Sequence, residues 1–300
     1  MNKKIKSITL FKYDFINQKR SGEESDEKGN KFSYTELDEK GNLLVEIKYN
    51  AQGEVEEKYL YTFDNQGNLT EEISYLSDSE IAEHKTYEYE PEGKLVKAFK
   101  HYADGSKDII LYDYDIHGNL STKTTTDSEN EIEAKEILEW ENKSLVKKEF
   151  YEFDELVSKE TNAFGEKGNR IENSKWTPDE GTTRSEYFYN DKGDLFKQLI
   201  YNKDDKLVAK TIYSYNEHGK VVEMNDESIR SKSNTTILYD EKGNATDQTE
   251  VNENGEVNNR AIRKYNDRNE VVETSVIIDL HGKGLNQEYL LHYEYEYFEN

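Results

Sequence analysis

The side chains able to do chemistry in this chain are 64 acids, 23 tyrosines and six histidines, with no cysteine beside them. Without thiols there is no disulfide scaffold, no thiolate metal site and no cysteine nucleophile. His84, His101, His117, His218, His281 and His292 fall into no zinc spacing. His117 and His218 each precede a glycine in equivalent segments, YDYDIHGNL and YSYNEHGKV. This equivalence predicts solvated turn residues, too far apart to share a metal. Among so many acids some carboxylate pairs must stand at glycosidase separations, so proximity alone assigns no acid–base pair. The D-x-x-G segments lack the twelve-residue ligand spacing of a calcium loop. No nucleophile elbow, phosphate loop or metalloprotease helix occurs. The expectation is a non-enzymatic protein with no catalytic residues, no metal and no cofactor.

The aromatics then carry the functional reading. Flat rings in series could stack on sugars or bases, or simply on one another. A net charge of -24 repels phosphate and argues against nucleic acid. Sugar remains a candidate, with Tyr187 and Tyr213 as the rings to test. A second candidate patch is the irregular segment that contains Trp176, Asp179 and Glu180.

These residues are positioned by a repeat. The segments YTELDEKGNL, YTFDNQGNL, YEYEPEGKL, YDYDIHGNL, YFYNDKGDL and YSYNEHGKV align on a glycine. The anchors fall at Gly41, Gly67, Gly93, Gly118, Lys143, Gly168, Gly193, Gly219, Gly243 and Asn269, spaced 24 to 26 residues apart. Four residues before each anchor stand Leu37, Phe63, Tyr89, Tyr114, Trp140, Phe164, Tyr189, Tyr215, Tyr239 and Tyr265. Six before it, Tyr61, Tyr87, Tyr112, Tyr187 and Tyr213 recur. A spacing of two puts both positions on one face of a strand. Leu43, Val45, Ile47 and Tyr49 alternate in the same way after the turn, so the period is 2 rather than 3.6. Regularly placed aromatics also argue against disorder, despite only 33% hydrophobic residues. Residues 129–141 contain good helix formers but keep strand alternation.

The punctuation has a mechanism. In Asp38-Glu39-Lys40-Gly41 the aspartate opens a turn by accepting local backbone N–H groups, and the glycine takes the positive φ of a bulge that leads into a hairpin. Pro91 sits at the second turn position, where its fixed φ belongs. A second turn falls mid-repeat at Gly53, Gly105, Gly181, Gly255 and Gly282, and Glu129-Asn130 and Asp204-Asp205 fill the role elsewhere. The chain therefore predicts an all-β, repetitive antiparallel hairpin meander of about twenty strands, forming one long curved or twisted sheet and at most a single ring. It reads as a single repeat domain over 1–300. Residues 1–33 give an N-terminal capping strand and loop, 34–278 about ten repeats, and 279–300 a C-terminal capping strand.

The string Tyr112-Asp113-Tyr114-Asp115-Ile116-His117-Gly118-Asn119-Leu120 resembles the YD repeat of the RHS family, and the likeness runs over about residues 34 to 270. It also resembles, less closely, MORN-type repeats. RHS-type repeats spiral into a hollow shell around a toxin segment. Here the period is longer than the family's, and no core-cleavage segment or toxin follows the repeats. The RHS resemblance implies an immunity or antitoxin-like scaffold that holds a basic, toxin-like protein against an acidic sheet. An envelope carbohydrate-binding module is the alternative. No apolar run is long enough for a membrane helix, and MNKKIKSITLFKYDF is too interrupted for a secretory signal. The expectation is no membrane span and a cytoplasmic protein, unless a targeting segment has been removed.

Overall fold

The computed structural model describes residues 3–14, 29–279 and 286–299. The expected loop at 18–26 and the turn at Gly282 lie outside them, as does His281. The described residues form β1 (Ile5–Asp14), β2 (Asn30–Leu37), β3 (Leu43–Tyr49), β4 (Val55–Phe63), β5 (Leu69–Tyr75), β6 (Ile81–Tyr89), β7 (Leu95–His101) and β8 (Lys107–Tyr114). Next come β9 (Leu120–Thr126), β10 (Ile132–Glu141), β11 (Ser144–Glu152), β12 (Glu155–Phe164), β13 (Arg170–Thr177), β14 (Gly181–Tyr189) and β15 (Leu195–Tyr201). The last seven are β16 (Leu207–Tyr215), β17 (Val221–Ser228), β18 (Lys232–Tyr239), β19 (Ala245–Asn252), β20 (Val257–Tyr265), β21 (Val271–Ile278) and β22 (Gln287–Tyr297). Twenty come from the repeats and two from the chain ends. Of the segment 129–141, residues 132–141 form a strand, as their alternation requires, and 129–131 belong to the turn before it.

Each strand pairs antiparallel with its neighbours in sequence, and the two chain ends then pair with each other. β1 lies against β2 on one side and against β22 on the other, the latter over nine residue pairs from Ile5–Tyr297 to Asp14–Tyr289. The sheet is thus a closed 22-stranded barrel. This corrects the expectation of an open curved sheet and realises its limiting case, the single ring. The reason is the seam. Both capping strands carry unpaired N–H and C=O edges, and each satisfies the other's. Closure in one turn also leaves no spiral of the RHS kind.

The turns follow the predicted chemistry. Asp38 N–H donates to the Asn42 carbonyl at 2.9 Å, Gly41 N–H donates to the Asp38 carbonyl at 3.0 Å, and Gly41 adopts φ 91°. Asp38 Oδ1 accepts from the N–H groups of Lys40 and Asn42 at 2.8 Å each. Leu43 is paired with Leu37 but Val45 with Glu36, so Leu44 is an extra residue. The alternation read through Leu43, Val45, Ile47 and Tyr49 is therefore corrected. The bulge sends Val45 and Ile47 to the face opposite Leu43. At Asn142-Lys143 and Phe153-Asp154 the turns shrink to two residues, all four with positive φ. This is where the glycine pattern lapses.

Curvature crowds side chains on the concave face of a closed sheet and spreads them on the convex one. Of the five buried described residues, Ala98, Asp108, Thr235 and Thr274 share the face of the repeat tyrosines. The mid-strand apolar residues left most exposed, Leu111, Ile212, Leu238, Ile262 and Ile277, lie on the other. The tyrosine face lines the lumen. Twenty-two strands at about 4.8 Å span roughly 105 Å, which closes to a tube on the order of 35 Å wide before strand tilt widens it. Inter-strand contacts run between ring neighbours, so among the described residues no core fills the middle.

A tyrosine-lined lumen with acidic mouths

One mouth of the barrel carries the ten anchor turns and the chain termini. The other carries the mid-repeat turns. Just inside the first mouth the residues four before each anchor form an aromatic collar. Their polar tips are all used in the same way. Tyr89 Oη donates to the Leu69 carbonyl at 2.8 Å, Tyr114 to Leu95 at 2.7 Å, Tyr189 to Arg170 at 2.8 Å and Tyr215 to Leu195 at 2.6 Å. Tyr239 reaches Val221 at 2.7 Å and Tyr265 reaches Ala245 at 2.9 Å. Trp140 Nε1 makes the equivalent bond to Leu120 at 2.7 Å, and Tyr295 Oη extends the series to Val271 at 2.7 Å. The acceptor is always the first residue of an earlier strand, next to the bulge. There a carbonyl leaves the ladder and needs a donor. Phe63, Phe164 and Leu37 have none to give.

Asp or Asn opens most of the turns above this collar, and Glu90 and Gly165 open two others. Hydrogen bonds from the Asn68 side chain and backbone hold the Asp64 carboxyl below its ordinary range, the Asn119 side chain does so for Asp115, and the Asn244 backbone N–H for Asp240. The nine described turns of the opposite mouth hold fourteen Asp and Glu against three Lys and Arg, whereas the ten anchor turns hold fourteen against eight. The negative charge of the chain is therefore concentrated at the mouths, more strongly at the one away from the termini.

The walls between are close to charge-balanced. Inside, Glu136 meets Lys148 at 2.8 Å and Lys123 at 3.6 Å. Outside, Glu149 meets Lys147 at 3.2 Å and Lys159 at 3.3 Å, Glu227 meets Lys210 and Lys232 at 2.9 and 2.8 Å, and Asp247 meets Arg260 at 2.5 Å. Among the described residues the outer face has no continuous apolar band. Leu60, Ile73 and Ile212 alternate around it with Lys159, Arg184 and Arg260.

The candidate residues read from sequence are not brought together. Tyr187 and Tyr213 face the lumen, opposite Gln198 and Met224, and Arg170 stacks 4.8 Å from the Tyr187 ring. Trp176 lies on the outer face, between Lys159 and Thr182. Asp179 and Glu180 are exposed in the turn after it. No group of three or more His, Cys, Asp or Glu among the described residues is arranged to hold a metal ion. The sequence reading missed the Tyr-to-carbonyl bonds. Its available signal was the Tyr-to-Trp exchange at position 140, which preserves an N–H or O–H donor.

No family model and no curated protein matches the chain. It is similar to a solved porin-like protein from Bacteroides uniformis ATCC 8492, with 11% identity over 97% of this chain and 96% of the other and a TM-score of 0.34. A porin-like protein from Bacteroides vulgatus ATCC 8482 gives 11% identity, coverages of 98% and 99% and a TM-score of 0.24.

Closure overturns the functional expectations built on an open sheet. The open acidic sheet that was to hold a basic, toxin-like partner is a closed ring, and the tyrosines that were to stack on a glycan line its lumen, so the immunity-protein and surface-module readings are withdrawn together with that soluble partner. The expectation of no membrane span rested on the lack of an apolar helix, which says nothing of a barrel, since barrels cross with short strands. The cytoplasmic assignment rested on the same absence and is withdrawn with it.

Proposed function

We propose that this protein acts through its lumen, as a porin-type β-barrel that admits cations and small polar solutes. The observation that carries this reading is the closed seam between β1 and β22 around a centre that no described residue fills. The acidic mouths support cation preference, because rings of carboxylates raise the local cation concentration and repel anions. The outer wall sets the condition on insertion. A lone Lys or Arg on a lipid-facing wall costs about 2–4 kcal/mol at the bilayer midplane, so insertion depends on the outer ion pairs staying closed.

The test is single-channel recording of the refolded chain in a planar bilayer, with a potassium chloride gradient across it. Discrete conductance steps with a reversal potential on the cation side are expected. Neutralising Asp127, Glu129 and Glu131 together should move the reversal potential toward zero. A folded barrel that neither floats with liposomes nor conducts would overturn the channel reading.

A further inference from the structure

At the collar, two rings are already covered by cations that the chain itself supplies. Lys94, directly after Gly93, places Nζ 4.3 Å from the Tyr114 ring centroid. Lys220, directly after Gly219, places Nζ 5.2 Å from the Tyr239 centroid and donates to the Gly243 carbonyl. In both cases the residue after one anchor glycine leans onto the ring and glycine of the next repeat. Asn68 and Asn169 lean the same way, toward Gly93 and Gly193. The barrel thus repeats a niche made of a ring, a backbone carbonyl and the residue that follows the preceding glycine.

Two copies have inverted chemistry: Glu270, after Asn269, is already engaged by the Tyr297 hydroxyl at 2.7 Å, and the other is Asp194. Asp194 follows Gly193 where Lys94 and Lys220 follow theirs. Its Oδ2 accepts from Asn190 Nδ2 at 3.0 Å, which keeps it in its own turn. No atom other than its own and its chain neighbours' lies within 4 Å of where a Gly219 Cβ would stand, whereas Lys94 Nζ comes to 3.6 Å of that point at Gly118. By repeat register, the Tyr215 ring, the Gly219 carbonyl and the Asp194 carboxylate stand where the Tyr239 ring, the Gly243 carbonyl and Lys220 stand in the next copy.

We propose that Asp194, Tyr215 and the Gly219 backbone form a binding site for a primary organic ammonium ion, with Lys94 and Lys220 as built-in occupants of the equivalent niches. Ring quadrupole, carbonyl and carboxylate all favour a cation, and the donors of an ammonium match the two oxygen acceptors. The inference goes beyond the channel reading and stands apart from it, because binding is read without conduction.

The test puts a single indole at the niche. In the full chain carrying Trp140→Tyr, Trp176→Phe and Tyr215→Trp, fluorescence is titrated with n-butylammonium, which reproduces the lysine side chain, and with uncharged n-butanol. A saturable response to the ammonium alone is expected. Adding Asp194→Lys should weaken that response by about fivefold or more, as the chain fills its own site. Lysine is tolerated at this place in an Asn-headed turn, as Asn216 and Lys220 show. In the converse protein, with Tyr239→Trp as the only indole, Lys220→Asp should create the response. Equal responses to both ligands, or a response unchanged by Asp194→Lys, would overturn the proposal.

Discussion

The indole N–H of Trp140 donates to the carbonyl oxygen of Leu120 at 2.7 Å, the bond that Tyr114 makes to Leu95 through its hydroxyl at the same length. Two side chains of different shape thus solve one problem. The bulge after each anchor turn leaves a carbonyl without a ladder partner, and a donor on the neighbouring strand must reach it. The repeated aromatic is a stitch between adjacent hairpins as much as an apolar ring.

Removing that donor should cost more than removing ring surface. Tyr89→Phe or Tyr114→Phe is expected to lower stability by about 0.5–1.5 kcal/mol, read as a lower urea midpoint. Trp140→Phe should cost a similar amount, and Trp140→Tyr markedly less. Equal losses for the last two would mean that ring size, not the hydrogen bond, sets the preference.

The turn aspartates predict acid sensitivity of a definite sign. Asp64, Asp115 and Asp240 have folded pKa values below those of the unfolded chain. Their stabilisation is present above the unfolded value, near pH 4, and is lost as pH falls through the folded values. Changing all three to Asn keeps an Oδ1 acceptor, as Asn190 and Asn216 do. Urea midpoints measured from pH 6 to pH 2 should fall less steeply in that variant than in the parent.

Lys143 stands at φ 67°, a left-handed conformation that suits glycine. Lys143→Gly should stabilise the barrel by about 1 kcal/mol by relieving this conformation. Gly67→Ala, at φ 92°, should destabilise it by a comparable amount. Thermal melts of the two variants should shift in opposite directions.

The seam is open to direct test because the chain has no cysteine. Thr9 and Glu294 are direct partners across β1 and β22, at a Cα separation of about 4.5–5.5 Å that a disulfide can bridge. The Thr9→Cys, Glu294→Cys protein should cross-link under mild oxidation and migrate faster on a non-reducing gel. In an open sheet these strands would lie on the order of 100 Å apart, so failure to cross-link a folded protein would remove the barrel.

Strand, turn and repeat were legible in the residues because each is local. The spacing of Tyr112 and Tyr114 fixes a face within one strand, and Asp115 with Gly118 fixes a turn within five residues. Even the strand nature of 132–141 followed from its alternation. Face assignment beyond the turn was not legible, since a single extra residue such as Leu44 reverses it and a bulge leaves no mark on the alternation itself. The scatter of the candidates is of the same kind: Trp176 and Tyr187 are eleven residues apart in sequence yet lie on opposite sides of the wall.

By itself, then, the sequence determined a pleated meander, its hairpin punctuation and the absence of thiol chemistry. It could not determine that Ile8 meets Tyr295. That pairing joins residues almost the whole chain apart, and whether two distant edges meet depends on the summed twist and curvature of every strand between them. Only the tertiary structure decided that the ribbon closes, which turns a surface of tyrosines into the lining of a lumen.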